Sequence, residues 1–95
     1  MKIEQIIISE YCNHYNIETS FIDVLDEMGI LKFTRDNNEI FLDAECLKDL
    51  ERCRQLRYEL HINPEGIDVI FNLLQKQSKL QEEIQSLKNR LKLHE

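Results

Sequence analysis

The order of apolar and polar positions in the first third of the chain predicts two short helices. Residues 2–9, KIEQIIIS, are rich in β-branched side chains, which favours a strand that leads into a helix capped by Ser9. Apolar positions in residues 17–29 then recur at helical spacing and end at Gly29, a residue type that commonly terminates helices. A short polar turn separates the two helices, so this region predicts a helix-turn-helix.

A hairpin follows the two helices. Residues 30–43, ILKFTRDNNEIFLD, form two apolar-rich arms around Asn37 and Asn38, and asparagine tolerates the left-handed conformation that a tight turn requires. Asp43 is a suitable N-cap for the next helix, whose apolar positions are Cys46, Leu50, Cys53, Leu56 and Leu60. Because the hairpin lies where a wing is expected, residues 1–62 are predicted to form a winged helix-turn-helix domain.

The C-terminal third predicts one long helix. Asn63 as N-cap and Pro64 at the first helical position give a consistent start signal. Apolar positions then follow heptads, with Gln77 at an a position and His94 at the last d position. The predicted dimerisation residues are Ile70, Leu73, Leu80, Ile84, Leu87 and Leu91. We expect residues 63–95 to form a homodimeric coiled coil, parallel or antiparallel, unless the helix folds back on its own domain.

Charge is divided unevenly along this chain of 95 residues, whose formal net charge is −6. Residues 1–43 contain nine acidic and three basic side chains, whereas residues 44–95 contain nine of each. A nucleic-acid surface needs cations that displace counterions from the phosphates. The second helix and the wing instead carry Asp23, Asp26, Glu27, Asp36 and Glu39. We predict that these five residues bind a basic protein surface.

The basic run in the third helix does not change this prediction. Arg52, Arg54 and Arg57 are interleaved with Glu51 and Glu59. We therefore expect salt bridges along and between helices rather than phosphate binding.

The chain offers little for catalysis or metal binding. Cys12 and His14 are two residues apart on a helix and point to different faces, so they are not arranged as a nucleophile and its base. The three cysteines form no CxxC pair, and Cys46 and Cys53 are too far apart along one helix for a disulfide. The histidines lack zinc-type spacing, and no apolar run approaches the ~20 residues that cross a membrane. We predict no enzyme, no cofactor and no metal, and a cytoplasmic location.

The order of helix-turn-helix, wing and long helix, joined through LRYELHINPEGIDVIFNLL, resembles the MerR superfamily. The stretches IIISEYCNHYNI, DEMGILKF and LRYELHINPEGIDVI more closely resemble the CbpM family of chaperone modulators. DNA-binding MerR proteins carry arginines on the recognition helix and the wing. The matching positions here are Asp23, Asp26 and Glu27 on the helix, with Ile40 and Phe41 on the wing. This departure argues against DNA binding.

The resemblance to the CbpM family implies a protein that binds and inhibits the J-domain of a CbpA- or DnaJ-like co-chaperone. A J-domain stimulates DnaK through a basic helix and a neighbouring His-Pro-Asp loop, so a modulator that covers this surface would block both. The implied fold is mainly α with a small β wing: a MerR-like winged helix-turn-helix followed by a long C-terminal helix. Two alternatives stay open, a dimeric MerR-like transcription regulator and an adaptor of phage or mobile-element type.

Overall fold

A computed structural model describes residues 4–93 of the chain. The elements are β1 (Gln5–Ile7), α1 (Ile8–Tyr15), α2 (Thr19–Glu27), β2 (Thr34–Asp36), β3 (Glu39–Asp43), α3 (Leu47–Arg54) and α4 (Pro64–Leu93). A 3-10 turn over Ala44–Cys46 precedes α3, and a π-helical turn over Gln55–Glu59 follows it. The helix-rich fold, its small sheet and its long last helix confirm the predicted fold class. The start of the predicted first strand and the predicted d position at His94 lie outside the described residues.

The helix-turn-helix consists of α1 and α2, which are joined through Asn16 in a left-handed conformation with φ of 56°. The predicted cap of α1 is wrong. Ile7 occupies the N-cap position because β1 continues through Ile7, which pairs with Phe41 of β3. Ser9 lies in the first turn of the helix, where its hydroxyl donates a hydrogen bond to the Glu39 carboxylate at 3.1 Å.

The wing belongs to a three-stranded antiparallel sheet in the order β1-β3-β2. Asn37 and Asn38 have φ values of 49° and 66°, so the two-residue turn has the left-handed conformation predicted for it. Because β3 pairs on both sides, the wing is fixed to the strand at the start of the chain and not only to its own hairpin partner.

The third helix begins and ends differently from a continuous α-helix. Asp43 caps the 3-10 turn that leads into the helix, because its Oδ1 accepts a hydrogen bond from the backbone N–H of Glu45 at 3.0 Å, and Cys46 occupies the N-cap position of α3 itself. Leu50 and Cys53 are buried, but Leu60 is 64% exposed, so the predicted apolar face is wrong at its last position. The helix ends in the π turn, which rotates the chain out of the helical register before Leu60 is reached.

One hydrophobic core connects the strands and helices. Its buried members are Ile8, Tyr11, Cys12, Ile17, Phe21, Ile22, Leu25, Leu31, Leu42, Leu50, Cys53 and Ile67. Helix α4 contributes Ile67 and, at the edge of the core, Phe71. Asn63 caps this helix as predicted, since its Oδ1 accepts from the backbone N–H of Gly66 at 2.8 Å. The described side chains after Leu74 are exposed, so the alternative in which α4 folds back on its own domain is wrong.

Candidate protein-binding surface

Helix α2 presents its acidic side chains outward because its apolar side chains are fixed in the core. The buried side chains of α2 are Phe21, Ile22 and Leu25. Asp23 and Asp26 are three residues apart and therefore lie on the same side of neighbouring turns. Their side chains are 50% and 31% exposed, and Glu27 is exposed next to them along the chain. The outward side of the second helix of the helix-turn-helix is thus acidic.

Arg35 of β2 connects the wing to this acidic side of α2. Its Nη2 donates to Oδ1 of Asp23 at 3.1 Å and to Oδ2 of Asp26 at 3.5 Å. The arginine side chain remains 55% exposed. The hydrogen bond to Asp23, with a smaller contribution from Asp26, raises the pKa of the Arg35 guanidinium above its ordinary value. In the folded chain the two carboxylates therefore bind a guanidinium that comes from the protein's own wing.

Asp36 and Glu39 lie on the other face of the wing from Arg35. Successive side chains of a strand point to opposite faces, and Asp36 pairs with Glu39 directly across the asparagine turn. Glu39 accepts a hydrogen bond from the Ser9 hydroxyl of α1. The structure thus separates the acidic pair of the wing from the acidic pair of α2.

The sequence alone gives Arg35 no role in this surface, although part of the arrangement was accessible. The two-residue turn sets the alternation of both arms, which places Arg35 and Asp36 on opposite faces of the strand. The spacing of Asp23 and Asp26 likewise indicates one side of a helix. The contact between Arg35 and α2 depends on how the wing packs against the helix, and residue spacing carries no signal for that.

A polar junction between α1 and α3 fixes the position of the helix-turn-helix. The Tyr11 hydroxyl donates to Oε1 of Glu51 and accepts from Nε of Arg54, both at 3.2 Å. Arg54 also pairs with Glu51, as the interleaved charges predict, and lies 4.2 Å from the ring centroid of Tyr15. The other two arginines of the basic run form no ion pair within residues 4–93. Burial is the main cause that raises the pKa of Tyr11 to about 12.

The cysteines have the surroundings of packing residues. Cys12 and Cys53 are buried, Cys46 is partly buried, and none forms a disulfide. Burial raises the pKa of the Cys12 thiol and raises that of Cys53 to about 12, whereas a nucleophilic thiol needs a lowered pKa. Within residues 4–93, no three His, Cys, Asp or Glu side chains are grouped as metal ligands. None of the described helices is both long and apolar enough to span a membrane.

Helix α4 carries an exposed apolar stripe from Leu73 onward. Its members are between 53% and 66% exposed and recur at heptad spacing: Leu73, Leu80, Ile84, Leu87 and Leu91. Ile70, the first predicted dimerisation residue, is half-buried. An apolar stripe on a helix that extends away from its core, here interrupted by Gln77, is typical of an interface with another helix.

Comparisons with known proteins give one family and one group of relatives. The sequence model of the family described as "MerR HTH family regulatory protein" matches residues 6–89. The "Chaperone modulatory protein CbpM" of Salmonella paratyphi A is 29% identical over 85 residues, which are 88% of this chain and 84% of that protein. The proteins of the same name from Salmonella newport and Salmonella heidelberg give the same identity and coverage. No solved structure gives a significant match.

These findings confirm the resemblance to the CbpM family and its relationship to MerR proteins. Neither description is that of an enzyme. The match to the MerR family model extends over the helix-turn-helix, the wing and most of the long helix, so the family relationship applies to the whole fold and not to one motif.

Proposed function

Because this chain belongs to the MerR HTH family of regulatory proteins, we propose that it regulates by binding another protein. Its similarity to chaperone modulatory proteins makes a chaperone system the setting. The partner is the J-domain of a CbpA- or DnaJ-like co-chaperone, and the consequence of binding is inhibition of that J-domain. The binding surface is the acidic outward side of α2, composed of Asp23, Asp26 and Glu27, and we call it the α2 acidic surface.

One observation carries this proposal. Asp23 and Asp26 are already arranged to accept hydrogen bonds from a guanidinium, since both contact Nη2 of Arg35. The basic helix of a J-domain presents side chains of the same chemistry. Nine acidic and three basic side chains in residues 1–43 add a long-range field that attracts a basic partner and repels a polyphosphate.

Inhibition follows from competition for one surface. A J-domain uses its basic helix and the neighbouring His-Pro-Asp loop to stimulate DnaK. A protein bound to that helix covers the surface that DnaK must contact, so no catalytic group on this chain is needed. Asp36 and Glu39 lie on the other face of the wing, so we assign this acidic pair to a second, separate contact with the same partner.

The test is a calorimetric titration of the whole protein with the purified J-domain of the CbpA-like co-chaperone from its own organism. It is done at about 50 mM and about 300 mM salt, with a random DNA duplex as a parallel titrant. We expect saturable J-domain binding that weakens at the higher salt, because surface charges are screened there, and no binding to DNA. Binding to DNA without binding to the J-domain would instead support the alternative of a transcription regulator.

A charge-reversed variant locates the surface. The triple variant Asp23→Lys, Asp26→Lys and Glu27→Lys should lower the J-domain affinity more than 100-fold at low salt while the circular dichroism spectrum stays unchanged. The matched control changes three exposed acidic residues elsewhere by the same total charge: Asp49→Lys, Glu59→Lys and Glu82→Lys. Equal losses in the two triple variants would assign the effect to net charge and would contradict a binding site on α2.

We also propose that the apolar stripe of α4 pairs with a second copy of this chain in antiparallel orientation. A helix with this exposure is marginal alone, since helical stability in proteins comes mainly from packing of the apolar side. In a parallel pair, the basic end of α4 (Lys88, Arg90 and Lys92) would lie beside its own copy. In an antiparallel pair, the same basic end lies beside Glu65 and Asp68 of the partner subunit, and opposite charges meet.

The heptad positions fit that orientation layer by layer. If Gln77 lies opposite Leu80 of the partner subunit, then Leu73 meets Ile84 of the partner subunit, and Ile70 meets Leu87 of the partner subunit. The same register places Lys76 beside Glu83 of the partner subunit on the flank of the seam. All six predicted dimerisation residues are then used, with Leu91 reaching the start of the partner's long helix.

A further inference from the structure

We propose that Arg35 is a built-in competitor of the partner: in the unbound protein its guanidinium occupies the position on Asp23 and Asp26 that a basic side chain of the partner takes in the complex. The inference rests on the proposed function, because it concerns how a basic partner gains access to the α2 acidic surface. Arg35 then lowers the affinity of the α2 acidic surface for the partner, although the partner itself contacts the carboxylates and not Arg35.

The geometry is that of a site occupied by one donor. A single nitrogen, Nη2, contacts both carboxylates, at 3.1 Å to Asp23 and at 3.5 Å to Asp26. Arg35 therefore bridges the pair and does not form a two-nitrogen fork with either carboxylate. Its hydrogen bonds connect two separate elements, β2 and α2, so they close the approach to the acidic pair from the side of the wing.

The contact is also easily displaced. The side chains of Arg35 and Asp23 are 55% and 50% exposed, and ion pairs with this exposure contribute little to stability. A partner that offers a lysine or arginine in better geometry can take over the carboxylates, and the arginine turns into solvent. The cost of this exchange lowers the affinity that the two carboxylates would otherwise provide.

Removal of Arg35 has opposite effects on two kinds of partner. For a basic protein, loss of the competitor and of one like charge should raise the affinity, by roughly three- to tenfold for one charge near the binding position at low salt. For DNA, the same change removes the only basic side chain between Phe33 and Asp43, so any binding through the wing should weaken. The sign of the change therefore reports the class of partner.

The experiment compares Arg35→Gln with Lys32→Gln in association kinetics with the J-domain at about 50 mM salt. Both variants lose one positive charge from the same half of the chain, but Lys32 is an exposed side chain that forms no ion pair within residues 4–93. We expect a three- to tenfold gain in affinity for Arg35→Gln and less than a twofold gain for Lys32→Gln. In the background Asp23→Asn and Asp26→Asn, the gain from Arg35→Gln should disappear.

Each result decides the inference. Equal gains in the two variants would reduce the effect to net charge, and a loss of affinity in Arg35→Gln would make Arg35 a contact residue of the complex; either outcome overturns the proposal. If the unchanged protein does not bind the J-domain, the proposed partner is wrong, and decalysine becomes the probe for the same variants. A selective gain of Arg35→Gln for decalysine then supports the competitor role by itself, and no selective gain overturns it.

Discussion

The side chain of Tyr11 connects the helix-turn-helix to α3. Its ring is buried in the core, and its hydroxyl lies between Glu51 and Arg54 of α3. Burial is the largest cause that raises the pKa of Tyr11 to about 12 in the folded chain. Burial is also the largest cause that raises the pKa of the Cys53 thiol to about 12. Both groups are neutral when protonated, so folding favours their protonated forms.

The raised pKa values predict a loss of stability at alkaline pH. In the unfolded chain, Cys53 and Tyr11 release their protons near pH 9 and pH 10, before the folded chain does. Their contribution to the free energy of unfolding is therefore complete below about pH 9 and is lost as the pH rises toward 12. Urea denaturation at a series of pH values measures this decline. The variant Tyr11→Phe should decline less steeply above pH 10. The control Tyr15→Phe changes a residue that is 40% exposed and should follow the unchanged protein.

A profile that is the same in Tyr11→Phe and in the unchanged protein would contradict the role given to the tyrosine hydroxyl. The pH range is useful for a second reason. Below pH 9 the variant still loses a hydrogen-bonding partner of Arg54, so its stability at neutral pH and its slope at high pH report two separate consequences of one hydroxyl.

At the scale of elements, the sequence predicts best the features that depend on residues close together along the chain. The cap at Asn63 and the left-handed turn at Asn37 and Asn38 are local, and both are confirmed. Asp43 also makes a local cap, but of the 3-10 turn that precedes α3. The failed predictions have two causes: the apolar position at Leu60 is lost through the local π turn, whereas the cap at Ser9 is lost through contacts between distant segments. Ser9 loses the cap because β1 extends its pairing with β3, and such competition between a cap and a sheet is not visible in residue order.

At the start of α4, Gly66 is required because a side chain there would clash with its neighbours, and not because its backbone conformation needs a glycine. A Cβ on Gly66 would lie 2.7 Å from Cγ2 of Ile62 and 3.1 Å from Oδ1 of Asn63, the atom that caps the helix. Alanine is favoured over glycine by about 1 kcal/mol inside a helix, whereas overpacking beside a half-buried residue costs about 1–3 kcal/mol. The clash is therefore expected to exceed the gain in helix propensity.

We predict that Gly66→Ala lowers the free energy of unfolding by about 1 kcal/mol, as measured by urea denaturation. The control is the same substitution in an Ile62→Ala background, where the overlapping methyl group is absent. In that background Gly66→Ala should be neutral or stabilising, and the double-mutant cycle isolates the steric contact. An equal loss in both backgrounds would assign the effect to the Asn63 cap instead.

At the scale of the whole molecule, charge was readable from the sequence, but its arrangement in space was not. Counting side chains places the excess of acidic residues in residues 1–43 and identifies the carboxylates of α2. It does not reveal that the wing returns Arg35 to two of these carboxylates and turns Asp36 and Glu39 to its other face. The same contrast holds for α4. Its heptads identify the apolar stripe from the sequence, but they contain no information on the direction in which the helix extends from the core.

The proposed antiparallel pair gives the last prediction, a pair of distances between labels. Ser78 and Lys92 occupy the same heptad position two repeats apart, so labels at these sites face away from the seam in the same way. In the antiparallel register, two labels at residue 78 lie across the centre of the dimer, roughly 10–20 Å apart after allowing for helix separation. Two labels at residue 92 lie at opposite ends, separated along the axis by about 27 residues, or roughly 40 Å at 1.5 Å per residue.

Pulsed electron paramagnetic resonance measures both distances, with nitroxides attached through a genetically encoded ketone side chain so that the three cysteines stay unchanged. Short distances at both sites would establish a parallel pair and would place the two basic ends side by side, against the charge argument. Leu80→Lys should abolish both distances, because a charge at the centre of the seam cannot be desolvated there without a partner. Lys79→Gln, one position away and outside the seam, should leave them unchanged. If the pair is antiparallel, its two helix-turn-helix domains lie at opposite ends, and the proposed function then predicts that each α2 acidic surface binds a J-domain independently of the other.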